Sequence, residues 1–314
     1  MPSAPDSGLP IGRLLLAGRT AMLAQRMAAR TRQFRHEGHR LVYDEHRGDG
    51  DRPVVLLPGL LFSRKMHEPL AEALAARGHR VLCLDFLGHG NSDRPPEMWR
   101  YSMPTFGRQT LALLDHAEIE QAVVGGTSLG GNVTLELAAL APQRVRGMLI
   151  DMPVLDNALL GAVLGLTPLL ALLTFGAPVA RVAGRVARAA PHGTLHLADM
   201  ILDWISQDPK PSASVLQGIF FGRVAPPRSE RRRLGQRALV IGHPRDPIHP
   251  FSDADMLVRE LPNARLLEAG SIVELRITPE RLTREIADFV GECWQQEPPV
   301  ATGRQARAAR RRTA

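Results

Sequence analysis

Ala122-Val123-Val124-Gly125-Gly126-Thr127-Ser128-Leu129-Gly130-Gly131-Asn132-Val133-Thr134 is the stretch on which the reading of this chain turns. A short apolar run, Ala122 to Val124, leads into Gly126-Thr127-Ser128-Leu129-Gly130, and a helical run, Leu129 to Leu140, leaves it. This is G-x-S-x-G between a strand and a helix, the context in which that pattern carries chemistry. The serine would sit on a sharp turn, and a side chain at Gly126 or Gly130 would collide with the neighbouring strand or helix. The helix that starts after Ser128 aims free backbone N–H groups, and the positive end of its dipole, at any charge developing there. Ser128 is therefore a candidate nucleophile. The plainer alternative is a glycine-rich turn with a chance serine.

Working outward, the same alternation recurs. Pro53 to Gly59 and Val81 to Phe86 are short continuous apolar runs, as buried parallel strands require. Val145 to Asp151, Arg237 to Gly242 and Ala264 to Glu268 read likewise, and His39 to His46 reads as a further strand. Helical patterns fall between them at Pro69 to Arg77, Pro104 to His116, Ser252 to Leu261 and Thr278 to Trp294. Strand and helix in alternation argue an α/β fold: a doubly wound, mostly parallel sheet with helices on both faces.

At Asp151 the rhythm breaks. From Asn157 to Ala180 there is no charged residue. Such a run is long enough to be weighed as a membrane span. It contains Pro168, Pro178 and three glycines, however, and lies between two halves of one sheet. A helical cap inserted at 152–230 is the better reading. The domain plan is then an N-terminal helical extension at 1–35, a core at 36–151 and 231–296, the cap, and a disordered basic tail at 297–314. Within the extension, Ile11 to Arg32 has a helical pattern, read as packing on its own domain rather than lying on a membrane.

The 314 residues carry a formal charge of +7, with arginines concentrated at Arg13 to Arg40, Arg228 to Arg237 and Arg304 to Arg312. No nucleic-acid-binding signature accompanies them, so nucleic acid is not expected as a partner, while peripheral contact with anionic membranes stays open. Two cysteines, Cys83 and Cys293, make neither a disulfide framework nor a metal site. With no clear signal peptide, a cytoplasmic location is expected, with membrane association as the variant. No phosphate loop or dinucleotide fingerprint is present, so no cofactor or metal is expected.

Four segments bear on the chemistry. Leu57-Pro58-Gly59-Leu60-Leu61 follows one strand. Asp85-Phe86-Leu87-Gly88-His89-Gly90-Asn91-Ser92 follows the next. The Ser128 turn is the third, and Gly242-His243-Pro244-Arg245-Asp246-Pro247-Ile248-His249-Pro250 is the fourth. Together, over residues 36–295, they resemble the α/β-hydrolase family. The resemblance implies that Leu60 and Leu129 supply oxyanion N–H groups, that Ser128 is the nucleophile, and that Asp246 is the acid. The segment from Asp85 is similar to the family's D-x-x-G-x-G-x-S turn, and the insertion falls where the family has its cap.

One position departs from the pattern. After the last strand the family usually reads Ala-Gly-His, and that histidine is the base. Here the stretch is Ala269-Gly270-Ser271, and no histidine follows His249. A serine cannot act as the base. His249 is the provisional base, with His243 and His89 as other candidates at the same sheet edge. Glu268 or Glu274 in an altered relay, and Asp151 or Asp156 as an alternative acid, are weaker candidates, each with an ordinary structural explanation. The activity implied is hydrolysis of a hydrophobic acyl ester or lipid-like substrate. The rival is a catalytically impaired relative that binds an apolar ligand or partner.

Overall fold

In the computed structural model, which describes residues 29–193 and 195–295, β3 (Pro53–Leu57) is buried at every position. It takes the centre of an eight-stranded sheet of order β1-β2-β4-β3-β5-β6-β7-β8. The other strands are β1 (Arg30–His36), β2 (His39–Arg47), β4 (Arg80–Asp85), β5 (Ala122–Thr127), β6 (Val145–Asp151), β7 (Arg237–Gly242) and β8 (Ala264–Glu268). From β4 to β8 every pairing is parallel; β1 and β2 are antiparallel additions at one edge.

Side chains on successive strand residues point to opposite faces, and two separate cores result. Val54, Leu56, Val81 and Cys83 point to one face, where α1 (Glu68–Ala76) and α10 (Glu280–Gln295) cover them with Leu70, Leu74, Ile286 and Phe289. Val55, Leu57, Leu82 and Leu84 point to the other, under α2 (Met103–His116), α3 (Leu129–Leu140) and α9 (Phe251–Glu260). Both cysteines are free and buried.

The N-terminal extension needs correcting. The helical reading of Ile11 to Arg32 fails at its end, because Arg30–His36 is strand β1, hydrogen-bonded along its length to β2 through a turn at Glu37 and Gly38. Its arginines are exposed, and only Phe34 is buried, stacked on His116. An edge strand with one anchoring aromatic shows too little alternation to be read as a strand. The rest of the extension, 1–28, and the tail at 297–314 lie outside the described residues.

Between β6 and β7 the chain makes α4 (Leu159–Phe175), α5 (Ala177–Ala189), α6 (His196–Ile205), α7 (Pro209–Phe221) and the short α8 (Arg228–Arg231). Among the described residues, no single helix is long and apolar enough to cross a membrane. Helices α4 and α5 pass such a test only as a pair bent by 95°.

Two buried polar residues of the core hold the insertion in place. Asn132 donates through Nδ2 to the carbonyls of Val154 and Val224, which flank the cap on either side, at 2.7 and 2.9 Å. The Asp253 carboxylate accepts the N–H groups of Leu155, Asn157 and Ala158 at 2.7, 2.9 and 3.1 Å. These are the unpaired donors that precede and open α4, so a carboxylate there meets both unsatisfied hydrogen bonds and the positive helix end.

Candidate active site

The strand order reverses at β3: β4 lies on one side of it and β5 on the other. Open α/β sheets gather ligands at this switch point, beyond the carboxyl ends of the strands. Pro58-Gly59-Leu60 leaves β3 there and Ser128 leaves β5. Ser128 has φ 55° and ψ −113°, a conformation that side-chain-bearing residues avoid. The flanking glycines permit it. A Cβ on Gly130 would stand 2.1 Å from the Leu57 carbonyl oxygen, and one on Gly126 would stand 2.4 Å from the same atom. The elbow is further fixed by the Ser128 N–H, which donates to the Asp151 carbonyl at 2.7 Å.

The loop after β7 carries two of the site's side chains. Asp246 Oδ1 accepts the N–H groups of Ile248 and His249 at 2.9 and 3.0 Å, a local turn closed by its own side chain. Pro247 and Pro250 stiffen that turn. The result places His249 Nδ1 2.9 Å from Asp246 Oδ2 and His249 Nε2 2.9 Å from Ser128 Oγ. A carboxylate accepts only, so Nδ1–H donates to Asp246, and Nε2 is left to accept the Ser128 hydroxyl proton. Burial disfavours the Asp246 anion, but the hydrogen bonds from His249 and Ile248 outweigh it and hold the carboxyl at about 2. Asp246 is therefore charged at any working pH. The Asp246 side chain is 6% exposed and that of His249 15%, sheltered yet within reach of a ligand.

The site residues read from the sequence come together. Leu60, Leu129, Ser128 and His249 all line one cavity of about 560 Å³, with Gly59 and Thr127 beside them. The Gly59 N–H is already engaged by Met66 Sδ at 3.3 Å, so Leu60 is the next donor along that loop. Helix α3 starts at Leu129, whose N–H belongs to the first turn and has no intrahelical acceptor. Cap residues from α4, α6 and α7, including Leu166, Leu169, Trp204 and Phe220, roof the cavity, and its lining is overwhelmingly apolar. Such an arrangement can pass a proton from a hydroxyl to an imidazole held by a carboxylate, beside two main-chain donors.

The other candidate bases are engaged elsewhere. His89 is fully buried against Phe86 and Phe106, and its Nδ1 lies 3.1 Å from the Leu87 carbonyl. Burial pushes it down to about 4. Glu274 is tied to Arg281, and Asp156 to Arg231. Glu268 is an exposed strand end.

His243 makes a second His–Asp pair. Its Nε2 lies 2.7 Å from Asp151 Oδ1, and its Nδ1 lies 3.0 Å from the Ser271 carbonyl oxygen. Both ring nitrogens thus face acceptors, which suits an imidazolium. Burial opposes that charge, but the Asp151 hydrogen bond and field prevail and raise the His243 pKa; Asp151 is lowered in turn, burial notwithstanding. Asp151 Oδ2 also accepts from Thr127 Oγ1 at 2.7 Å. Ser271 thus takes part through its main chain, while its own side chain is not the partner of Ser128.

A pH dependence follows. A raised histidine stabilises the fold fully below its unfolded pKa of about 6.5, and the gain is lost as pH rises through the higher folded value. A lowered aspartate stabilises above about 3.9 and the gain is lost below that. The pair should therefore contribute most between about pH 4 and 6.5. We expect His243→Gln to cost about 1–3 kcal/mol in that window, with the deficit shrinking on the alkaline side. Thermal unfolding of both proteins from pH 5 to 9 tests this, and a deficit that does not vary with pH would contradict it.

The sequence profile of the alpha/beta hydrolase fold matches residues 52–211, just over half of the chain. The chain belongs to the alpha/beta hydrolase fold family. Among curated relatives, it is 40% identical over 113 residues to the dihydrolipoyllysine-residue acetyltransferase component of the acetoin cleaving system of Pseudomonas putida, covering 35% of this chain and 29% of that protein. It is 38% identical over 103 residues to bifunctional epoxide hydrolase 2 of Mus musculus, covering 32% and 18%. The chain thus spans less than half the length of the curated relatives it matches. Among solved structures, the enol-lactonase from Burkholderia xenovorans LB400 superposes with a TM-score of 0.68 at 22% identity, over 83% of this alpha/beta hydrolase and 100% of the lactonase.

Proposed function

We propose that this alpha/beta hydrolase cleaves hydrophobic acyl esters with Ser128 as nucleophile, His249 as general base and Asp246 as the orienting acid. The observation that carries the reading is the unbroken chain of 2.9 Å contacts from Ser128 Oγ through His249 to Asp246. His249 Nε2 takes the hydroxyl proton as Ser128 Oγ attacks the ester carbonyl. The Leu60 and Leu129 N–H groups receive the oxyanion. His249 then returns the proton to the leaving alcohol, and a water deprotonated at the same nitrogen releases the acid from the acyl-enzyme. Asp246 stays ionised and keeps the imidazole in the productive tautomer.

The apolar cavity supports the substrate class, since sites of this size and lining take the bulk of a small hydrophobic ligand. Across p-nitrophenyl esters of growing chain length, kcat/KM should rise by about fourfold per added methylene until the cavity is filled. A fluorophosphonate probe should label the wild type and not Ser128→Ala. Absence of labelling together with absence of turnover at every chain length would favour the rival, a non-catalytic protein that binds an apolar ligand. That rival draws on Ser271 standing where a histidine is usual, and the reach of His249 to Ser128 weighs against it.

A further inference from the structure

Helix α4 has no fully buried residue, although it carries no charge and is apolar apart from Thr167 and Thr174. Its inward side roofs the cavity through Leu166 and Leu169, while Leu160, Leu164 and Phe175 project outward, 71%, 65% and 86% exposed. Helix α5 continues the surface after the bend. At about 100° per residue, Gly184 and Ala187 face inward and are buried, and the outward arc carries Val179, Val182 and Val186, each more than half exposed. Arg181, Arg185 and Arg188 run along the flank between the two, where they line a shallow cleft with Gly184, Gln207 and Asp208, and Arg188 donates to the Ser206 carbonyl. Monomeric soluble proteins seldom leave so many large apolar side chains together in water.

We propose that this face of the cap docks on the surface of an anionic phospholipid bilayer. Three observations select that occupant. The outward apolar side chains span two successive helices with no charge from Asn157 to Ala180, so they can enter the acyl boundary without burying an ion. The arginines border the valines along one flank, with Arg185 exposed beside Val182, so that guanidinium groups at the edge of the apolar face can reach lipid phosphates while their stems lie along that face. The patch also runs into the mouth of the catalytic cavity: Leu159, Val163, Ile201 and Ile248 are all exposed and all line it. A docked molecule would open its cavity toward the bilayer, so a lipid-borne ester need not cross water. This last point rests on the proposed function. The docking itself does not.

Cosedimentation of the full chain with phosphatidylcholine vesicles, with and without phosphatidylglycerol, tests the docking. The expected result is binding to the anionic vesicles that weakens in high salt. Reversing two charges in Arg181→Glu/Arg185→Glu should weaken it by about thirtyfold or more, at about fivefold for each cation lost and further through the repulsion of the added anions. Leu160→Asp/Phe175→Asp should abolish it at the same protein concentration. None of these four residues lines the catalytic cavity, so turnover of a soluble short-chain ester should be unchanged and would certify the fold. Binding that both variants retain would come from the arginine-rich ends of the chain and would overturn the proposal. A dimer dissociated by Leu160→Asp/Phe175→Asp, with no vesicle binding, would overturn it in favour of a second copy as the occupant. Because Ser128→Ala should bind vesicles as well as the wild type, loss of the hydrolase reading and loss of the docking reading are separately visible.

Discussion

Replacing His249 by glutamine is expected to lower kcat/KM on a hydrophobic ester by roughly 10⁴- to 10⁶-fold while leaving the melting temperature nearly unchanged. The amide nitrogen of glutamine donates but does not accept, so the Ser128 hydroxyl loses the ring nitrogen that lies 2.9 Å from it. Ser128→Ala should cost a similar factor, and the double variant should be no worse than either single one, because the two groups act as a unit. Asp246→Asn should cost about 10⁴-fold, through the wrong imidazole tautomer rather than through lost contact. His243→Gln supplies the contrast: it perturbs a buried pair that never touches Ser128 Oγ, and turnover should fall by no more than about tenfold, far less than for a unit member. Steady-state kinetics on one ester suffice. If His249→Gln keeps a tenth of the activity, or if His243→Gln matches its loss, the assignment of the base is wrong.

The second large effect concerns stability, and it explains the glycine-rich turn after β4. Asp85 is fully buried. Its carboxylate accepts the Arg64 N–H and Arg64 Nη1, both at 2.6 Å, and the Asn91 N–H at 2.8 Å. Gly90 closes over it with φ +46°, and a Cβ there would stand 2.1 Å from Asp85 Oδ2. Ser92 Oγ donates to the Asp85 carbonyl at 2.7 Å and accepts the Val42 N–H at 2.9 Å, tying the turn to β2. The turn is thus a structural brace built around one carboxylate. Asp85→Ala would take from a buried guanidinium one of its two carboxylates, leaving Arg64 with Asp44. Breaking a buried pair from one side costs about 3–5 kcal/mol. For a chain of this size that lowers Tm by on the order of 10 °C. Calorimetry would check it, and Arg64→Ala in the same background should add little. A loss under about 1 kcal/mol would mean that the turn is held by its backbone alone.

Much of this was legible from residues. The apolar runs at Pro53, Val81 and Ala122 can satisfy themselves only as buried strands, and the glycines around Ser128 point to backbone crowding that the Leu57 carbonyl supplies. What could not be read is contact between distant residues. Nothing in the spacing of Asp151 and His243 announces that they meet across β6 and β7 at 2.7 Å. Nothing in the sequence marks Asn132 and Asp253 off from other polar residues, yet both are buried anchors of the cap. His249 is legible as a candidate because it stands three positions after Asp246, but which of three histidines reaches Ser128 depends on how one proline-bounded turn is aimed.

That turn has a wider consequence. In a site whose acid and base come from different loops, each can drift away from the other as the sheet edge shifts. In the mechanism proposed above both belong to one four-residue peptide, Asp246-Pro247-Ile248-His249. That mechanism asks nothing of the loop after β8. Its side chain at 271 is open to change, and only the position of its carbonyl is held, by His243.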